Sequence, residues 1–247
     1  MRVVFLDVIG VDLGGTNIKA GIVDADGVLK KEISVKTPNA LGGMAILNGV
    51  VHAVRELIKQ CERTVSAVGV GTAGRVQKET GAIIFAGDTI PGWVGTEVKA
   101  VLEAQLSLQV FVDNDVNTAA LGENWLGTAR KWDHFAYLAI GTGLGGALVN
   151  RGEIIQGIHG GAGEFGHMIL YPDGIPCGCG QKGCAEKYVS GTALNDLARE
   201  INSDWDSYKL LEKFGDNHEL ANKAIKKFIR DLSVVLINIQ NMFDPEA

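Results

Sequence analysis

Three of the four cysteines, Cys177, Cys179 and Cys184, are spaced C-x-C-x4-C, and His167 lies ten residues upstream. Thiolates and imidazole suit a borderline-soft ion with no geometric preference of its own, so this set fits a tetrahedral zinc site. Glycines at 178, 180 and 183 break the segment into turns, a poor setting for sulfur buried simply as an apolar group. A C-x-C disulfide would be strained, and three clustered thiols would leave one unpaired. Glu164 and Glu186 flank the four ligands without being needed by the metal. The pattern therefore predicts a metal knuckle that holds carboxylates in place around a pocket.

Two further stretches carry chemistry of a different kind. In DLGGTNIK (residues 12–19), Gly14 and Gly15 let a backbone turn sharply, while Thr16, Asn17 and Lys19 supply donors. Such a loop suits a polyphosphate, with Asp12 placed to hold Mg2+ through water. Gly141, Thr142 and Gly143 open a second loop, GTGLGG, of the same type. Neither matches a Walker loop or a Rossmann fingerprint, and either alone is also read as a plain hairpin turn. Two related copies favour the phosphate reading. The run Asp113-Asn114-Asp115 lies where a strand should meet a helix. Asp115 there is either the N-cap of the helix or a general base taking a proton from a hydroxyl, with Asn114 fixing that hydroxyl. Asp113 is expected to be structural. His52 and His218 read as solvated or packed residues, while His134 precedes a strand, His159 opens the Gly160-Gly161 turn and Cys61 ends a helix.

The elements that must position these groups follow from periodicity. From residue 9 the chain alternates as strand, glycine turn, strand, Asp26-Gly27 turn, strand, and the Asp-Gly dipeptide is a strong hairpin signal. Helical spacing marks residues 44–61, 93–106 and 116–126, with strands at 65–70 and 109–112. A second cycle of strand, Gly/Thr turn and strand begins at residue 135, which suggests two related lobes. Helices are expected over 193–200, 204–214 and 219–242, the last with an apolar stripe. The lobes are expected to be 1–115 and 116–247, with a hinge at 113–116. Charged residues are 21% and apolar residues 46% of 247, the balance of a globular protein with ample core. A net charge of −6 without a Lys/Arg run argues against nucleic acid as a partner. The apolar start is interrupted by Asp7 before a signal core or membrane span could form. Reduced or metal-bound cysteines point to the cytoplasm. A homodimer is the default assembly for a small enzyme of this kind.

The stretches DLGGTNIKAGIVD, GTAGRV, DNDVNTAALGE, AIGTGLGGALV and GEFGH…CGCGQKGCAEKYVSG, in this order, resemble the ROK family of sugar kinases and sugar-responsive repressors. That family belongs to the actin-like ATPase superfamily. The resemblance implies an α/β fold of two actin-like, ribonuclease H-like lobes with a cleft between them and a zinc knuckle in the second. It implies ATP-dependent phosphorylation of a hexose, glucose first and N-acetylmannosamine or fructose as alternatives, with Asp115 as the base on the 6-hydroxyl. Gly74, Asn114, Glu164, His167 and Glu186 would hold the sugar, His167 by one ring nitrogen while the other binds structural zinc. The loops at Gly15 and Gly143 would hold ATP with Mg2+. Family members continue past the position of Ala247 into a strand, an adenosine loop and a closing helix, so a sugar-binding remnant without turnover is a further reading. A repressor would carry a helix-turn-helix ahead of residue 9, and the eight residues there are too few to encode one. Residues 1–8 read as an extension.

Overall fold

Apolar residues at every second position of DVIGVDL and NIKAGIV give two strands with one buried face, β1 (Asp7–Leu13) and β2 (Asn17–Val23). Ile9, Val11, Leu13, Ile18, Ala20 and Ile22 point into the core, which leaves Asp12 and Lys19 on the opposite face. In this computed structural model, which describes residues 6–87 and 90–247, β3 (Leu29–Lys36) completes an antiparallel meander. Helix α1 (Gly43–Lys59) lays Ile46, Leu47, Val50, Val54 and Leu57 on that core, and β4 (Val65–Thr72) returns parallel to β1. Two short strands, β5 (Arg75–Val76) and β6 (Ile83–Phe85), form a separate ribbon. Helix α2 (Val98–Leu106) leads to β7 (Gln109–Asn114), and α3 (Asp115–Trp125) follows without a loop. The resulting sheet has the order β3-β2-β1-β4-β7.

The second half repeats the hairpin and then diverges. Strands β8 (His134–Ile140), β9 (Leu144–Asn150) and β10 (Glu153–Ile154) form a three-stranded antiparallel sheet. The metal-type segment follows as loops and single-turn helices, then α4 (Gly191–Ile201), α5 (Ser207–Gly215) and α6 (Glu219–Phe243). Leu144, Leu148, Phe165, Val189, Phe228, Val235 and Ile239 make one core there, and Ala198, Leu210, Ala221 and Ile225 a second.

Contacts divide the chain into two compact units. One runs through Gly127 and takes in Gln156–Gly161; the other comprises Thr128–Ile155 and Ala162–Ala247. The sequence places the division at 115/116, but α3 packs on β4 and β7 and stays with the first unit. The helix expected over 93–106 is shorter than its apolar spacing suggests. Residues 95–97 pair instead with the start of β6: Ile83 N–H donates to Thr96 O at 3.0 Å, Gly95 N–H donates to Ile83 O at 2.8 Å, and Glu97 bridges to Ala82. Trp93 is buried in the core as a result. The expected extension at residues 1–8 is partly strand, since β1 starts at Asp7; residues 1–5 lie outside the described residues.

Candidate active site and metal centre

In the first unit, strand register builds a row of functional groups. Asp12 pairs with Lys19 on one side and with Gly71 on the other, and Gly71 pairs with Asp113. A groove of about 1210 Å³ runs along this face, and Asp12, Lys19, Gly71, Asp115 and Thr118 line it. A Cβ on Gly71 would stand 2.5 Å from Thr118 Oγ1 and 3.5 Å from Asp115 Cα. The absence of that side chain lets the first turn of α3 approach the sheet beside Asp12.

Asn114, and not Asp115, caps α3. Its Oδ1 accepts the N–H groups of Val116 at 2.8 Å and Asn117 at 3.2 Å, while Nδ2 donates to Gly74 O at 3.0 Å. The capping role considered for Asp115 is thereby filled, and most of the Asn114 amide is committed to the fold. Asp115 is half-buried; it accepts Val116 N–H at 3.0 Å and is also hydrogen-bonded by the Asn114 side chain. Burial raises its carboxyl above the ordinary aspartate value, the Val116 N–H pulls it back, and the nearby Asp12 charge raises it further. Both oxygens of Asp113, which also lines the groove, are engaged: Asn117 Nδ2 donates to Oδ1 at 2.8 Å and Gln156 Nε2 to Oδ2 at 2.7 Å. Gly74 has φ +101°, and a Cβ there would meet Phe85 O at 2.6 Å, so only glycine fits.

The first glycine turn is held from behind. Thr37 Oγ1 donates to Gly14 O at 2.7 Å, Thr37 N–H to Thr16 O at 3.0 Å, and Asn39 Nδ2 to Gly15 O. In the second unit the N-terminus of α4 does the same work. With Ser190 capping the helix, Gly191 N–H donates to Gly141 O at 2.7 Å and Thr192 Oγ1 to Thr142 O at 2.7 Å. Gly143 lies against Glu186, whose Oε2 is 2.9 Å from where a Cβ would stand. Sequence reasoning missed Thr37, Asn39, Thr192 and Gln156. Thr37 carried a signal, a hydroxyl residue directly after a strand that pairs with the glycine-turn hairpin, and Thr192 another, a hydroxyl in the first turn of a helix.

The second unit also gathers the metal-type residues. The ligand atoms of His167, Cys177, Cys179 and Cys184 all lie within 4.8 Å of one another. Cys177 Sγ is 3.8 Å from His167 Nδ1, and Cys179 Sγ is 3.6 Å from Cys184 Sγ. A tetrahedral zinc with bonds of about 2.0–2.3 Å requires ligand separations of roughly 3.4–3.8 Å, so donor set and spacing both fit. Burial pushes the Cys177 thiol up to about 12, and its 3.0 Å bond to Glu186 Oε1 also raises it. A cation reverses that balance, because a coordinating thiol is deprotonated outright. His167 Nδ1 faces the sulfurs, while Nε2 lies 4.0 Å from Glu164 Oε2. Glu186 Oε1 is 3.9 Å from His167 Nδ1. Glu164, His167 and Glu186 are thus brought together at the metal cluster.

The fold that carries these groups is the actin-like ATPase fold, shared with solved kinase structures. The chain matches the ROK family over residues 8–247 and belongs to that family. It is 37% identical to the glucokinase of Streptomyces coelicolor over 257 residues, covering 97% of this chain and 79% of that protein. It is similar to the ROK hexokinase from Thermus thermophilus, with TM-score 0.85 and 33% identity over 97% of this chain and 79% of that one. A ROK family glucokinase from Streptomyces griseus, solved in complex with glucose and AMPPNP, gives TM-score 0.82 and 32% identity over 97% and 80% of the two chains. Among the described residues no helix is long and apolar enough to cross a membrane.

Proposed function

We propose that the protein transfers the γ-phosphoryl group of ATP to the 6-hydroxyl of a hexose, with glucose as the substrate and Asp115 as the general base. The observation that carries this reading is the state of Asp115. It is a half-buried carboxyl at a helix start, spared from capping by Asn114, and burial holds it above the ordinary aspartate value, the direction that favours proton uptake. The glucokinases among its relatives support the choice of glucose.

Each remaining residue takes a role that its surroundings permit. Asn114, whose amide is engaged with Gly74 O and with the Asp115 carboxyl, meets the sugar beside the base, and Gly74 keeps the neighbouring wall open. Glu164, His167 and Glu186 accept or donate to sugar hydroxyls. His167 Nδ1 faces the sulfurs and leaves Nε2 for the sugar, an arrangement that fixes the ring tautomer. The backbone N–H groups of Gly15, Thr16 and Asn17, and those of Thr142 and Gly143, would meet phosphate, while Gly14 N–H and Gly141 N–H close the two turns on Asn17 O at 3.1 Å and Gly143 O at 3.0 Å. Lys19 adds positive charge at the strand edge. Asp12, an exposed oxygen donor in the groove, would hold Mg2+, which neutralises charge on the transferring phosphate. His167, Cys177, Cys179 and Cys184 would hold zinc, which fixes the loop and takes no part in the transfer. Cytoplasmic hexose and ATP are the substrates this reading calls for.

A coupled assay of ADP formation with glucose, fructose and N-acetylmannosamine tests it. Asp115→Asn should lose about 10²–10⁴-fold in kcat; equal turnover by wild type and variant would falsify the assignment. Calorimetry that found glucose binding but no ATP binding would identify a sugar-binding protein without turnover instead.

A further inference from the structure

Asp231 is the one acidic residue on the buried face of α6 among the described residues, and it is 1% exposed. Its Oδ1 accepts the Tyr171 hydroxyl at 2.6 Å and its Oδ2 accepts Lys227 Nζ at 2.9 Å. Arg230 Nη2 lies 3.5 Å from Oδ1 and donates to the Tyr171 hydroxyl at 3.2 Å. A buried carboxylate persists only with such partners, so the group is fixed in place. The Tyr171 ring packs on Tyr188 with centroids 4.6 Å apart, and Lys227 Nζ stands 5.7 and 5.3 Å from the two centroids.

Both tyrosines carry this constraint into the cysteine loop. The Tyr188 hydroxyl accepts Ile175 N–H at 2.8 Å. Tyr171 N–H donates to Gly183 O at 3.2 Å, and Tyr171 O accepts Gly174 N–H at 3.0 Å. Gly183 N–H in turn donates to Ile175 O at 2.8 Å. Gly183 has φ +74°, and a Cβ there would stand 1.6 Å from Tyr171 O, so the two chain segments cross in backbone contact. Cys177 leaves this crossing two residues after Ile175, and Cys184 is the residue after Gly183. Ile175 itself is 46% exposed, so the loop has little core of its own and depends on the crossing for its shape.

We propose that Asp231, Tyr171 and Tyr188 are positioning residues for the metal loop, tying the spacing of its cysteines to helix α6. The proposal rests on the zinc reading above. A site whose ligands sit on a glycine-rich loop binds metal tightly only when that loop is held in the liganding shape.

Zinc affinity of the full chain, measured by competition with a chromophoric chelator alongside thermal unfolding, tests it. Tyr171→Phe keeps the ring and removes only the hydroxyl bonds; it should weaken zinc binding by about tenfold. Asp231→Asn should weaken it at least as much. Ile239→Ala, on the same helix two turns further on, should lower the unfolding midpoint while zinc affinity stays within about twofold. If Tyr171→Phe binds zinc as tightly as wild type, the positioning role is overturned and the zinc reading stands. If Ile239→Ala weakens zinc as much as Tyr171→Phe, the effect is general loss of stability and the role is again overturned. Wild type that takes up no zinc overturns both.

Discussion

The two glycine turns share a construction and differ in charge. In each, carbonyls are tied from behind by a hydroxyl and an N–H, through Thr37 in one unit and through Gly191 and Thr192 in the other. The strand pairs closing the turns are Leu13–Ile18 and Ile140–Leu144. One step further out, the first hairpin places Asp12 opposite Lys19, where the second places Ala139 opposite Gly145. The Gly/Thr pattern thus encodes a backbone surface common to both units. Among these flanking strand pairs, the acidic and basic side chains belong to the first hairpin alone; at the second turn the Glu186 carboxyl reaches Gly143 from the cysteine loop instead. Magnesium and the base are accordingly assigned beside β1, and phosphate is left with backbone contacts only at the second turn.

The largest effect expected from this contrast is at Asp12. Asp12→Asn should lower kcat by about 10²-fold, whereas Thr142→Ala should leave it within about threefold. Equal losses would break the distinction. Removing the Asp12 charge also removes a neighbour that raises Asp115, so the acid limb of the pH–rate profile should move to lower pH. Gly143→Ala comes next: its Cβ drives Glu186 Oε2 away from 2.9 Å. A displacement of that size should raise the hexose KM about tenfold with a smaller change in kcat.

Stability should separate the two regions by sign. The Asp115 carboxyl is raised in the fold, so its contribution is complete below the ordinary value of 3.8 and is lost as pH rises through the higher folded value. At pH 7 the charged form is a liability. Asp115→Asn should raise the unfolding midpoint at pH 7 by no more than about 2–4 °C, and the difference should vanish below pH 3.8. Thr192→Val removes a tie and should cost about 0.5 kcal/mol in denaturant unfolding at any pH. A midpoint lowered by Asp115→Asn would show that the carboxylate is structural after all.

Much of this contrast was legible before the fold was seen. Asp26-Gly27 and the two glycine turns mark hairpins because only a few residue types tolerate those backbones. Helix α1 announced itself by its apolar stripe, and the four metal-type residues by side chains that share one use. Strands β5 and β6 are two and three residues long, too short to carry a period. Residues 93–97 mimic a helix in spacing, and only the pairing of 95–97 with the start of β6 decides otherwise. The choice between Asn114 and Asp115 as cap turns on backbone angles that either residue type accepts. Asp231 reads as a surface charge until its place between Phe228 and Val235, on the buried stripe of α6, is taken into account.

Asn114 serves two masters, the start of α3 and the carbonyl of Gly74, and that limits how the pocket can be redesigned. An aspartate there would keep the cap but could not donate to Gly74, and it would add a third carboxylate beside Asp113 and Asp115. A serine would cap without reaching across. Directed evolution for a new sugar should therefore leave this position untouched and draw its diversity from exposed positions such as Ile84 and Phe85 of β6.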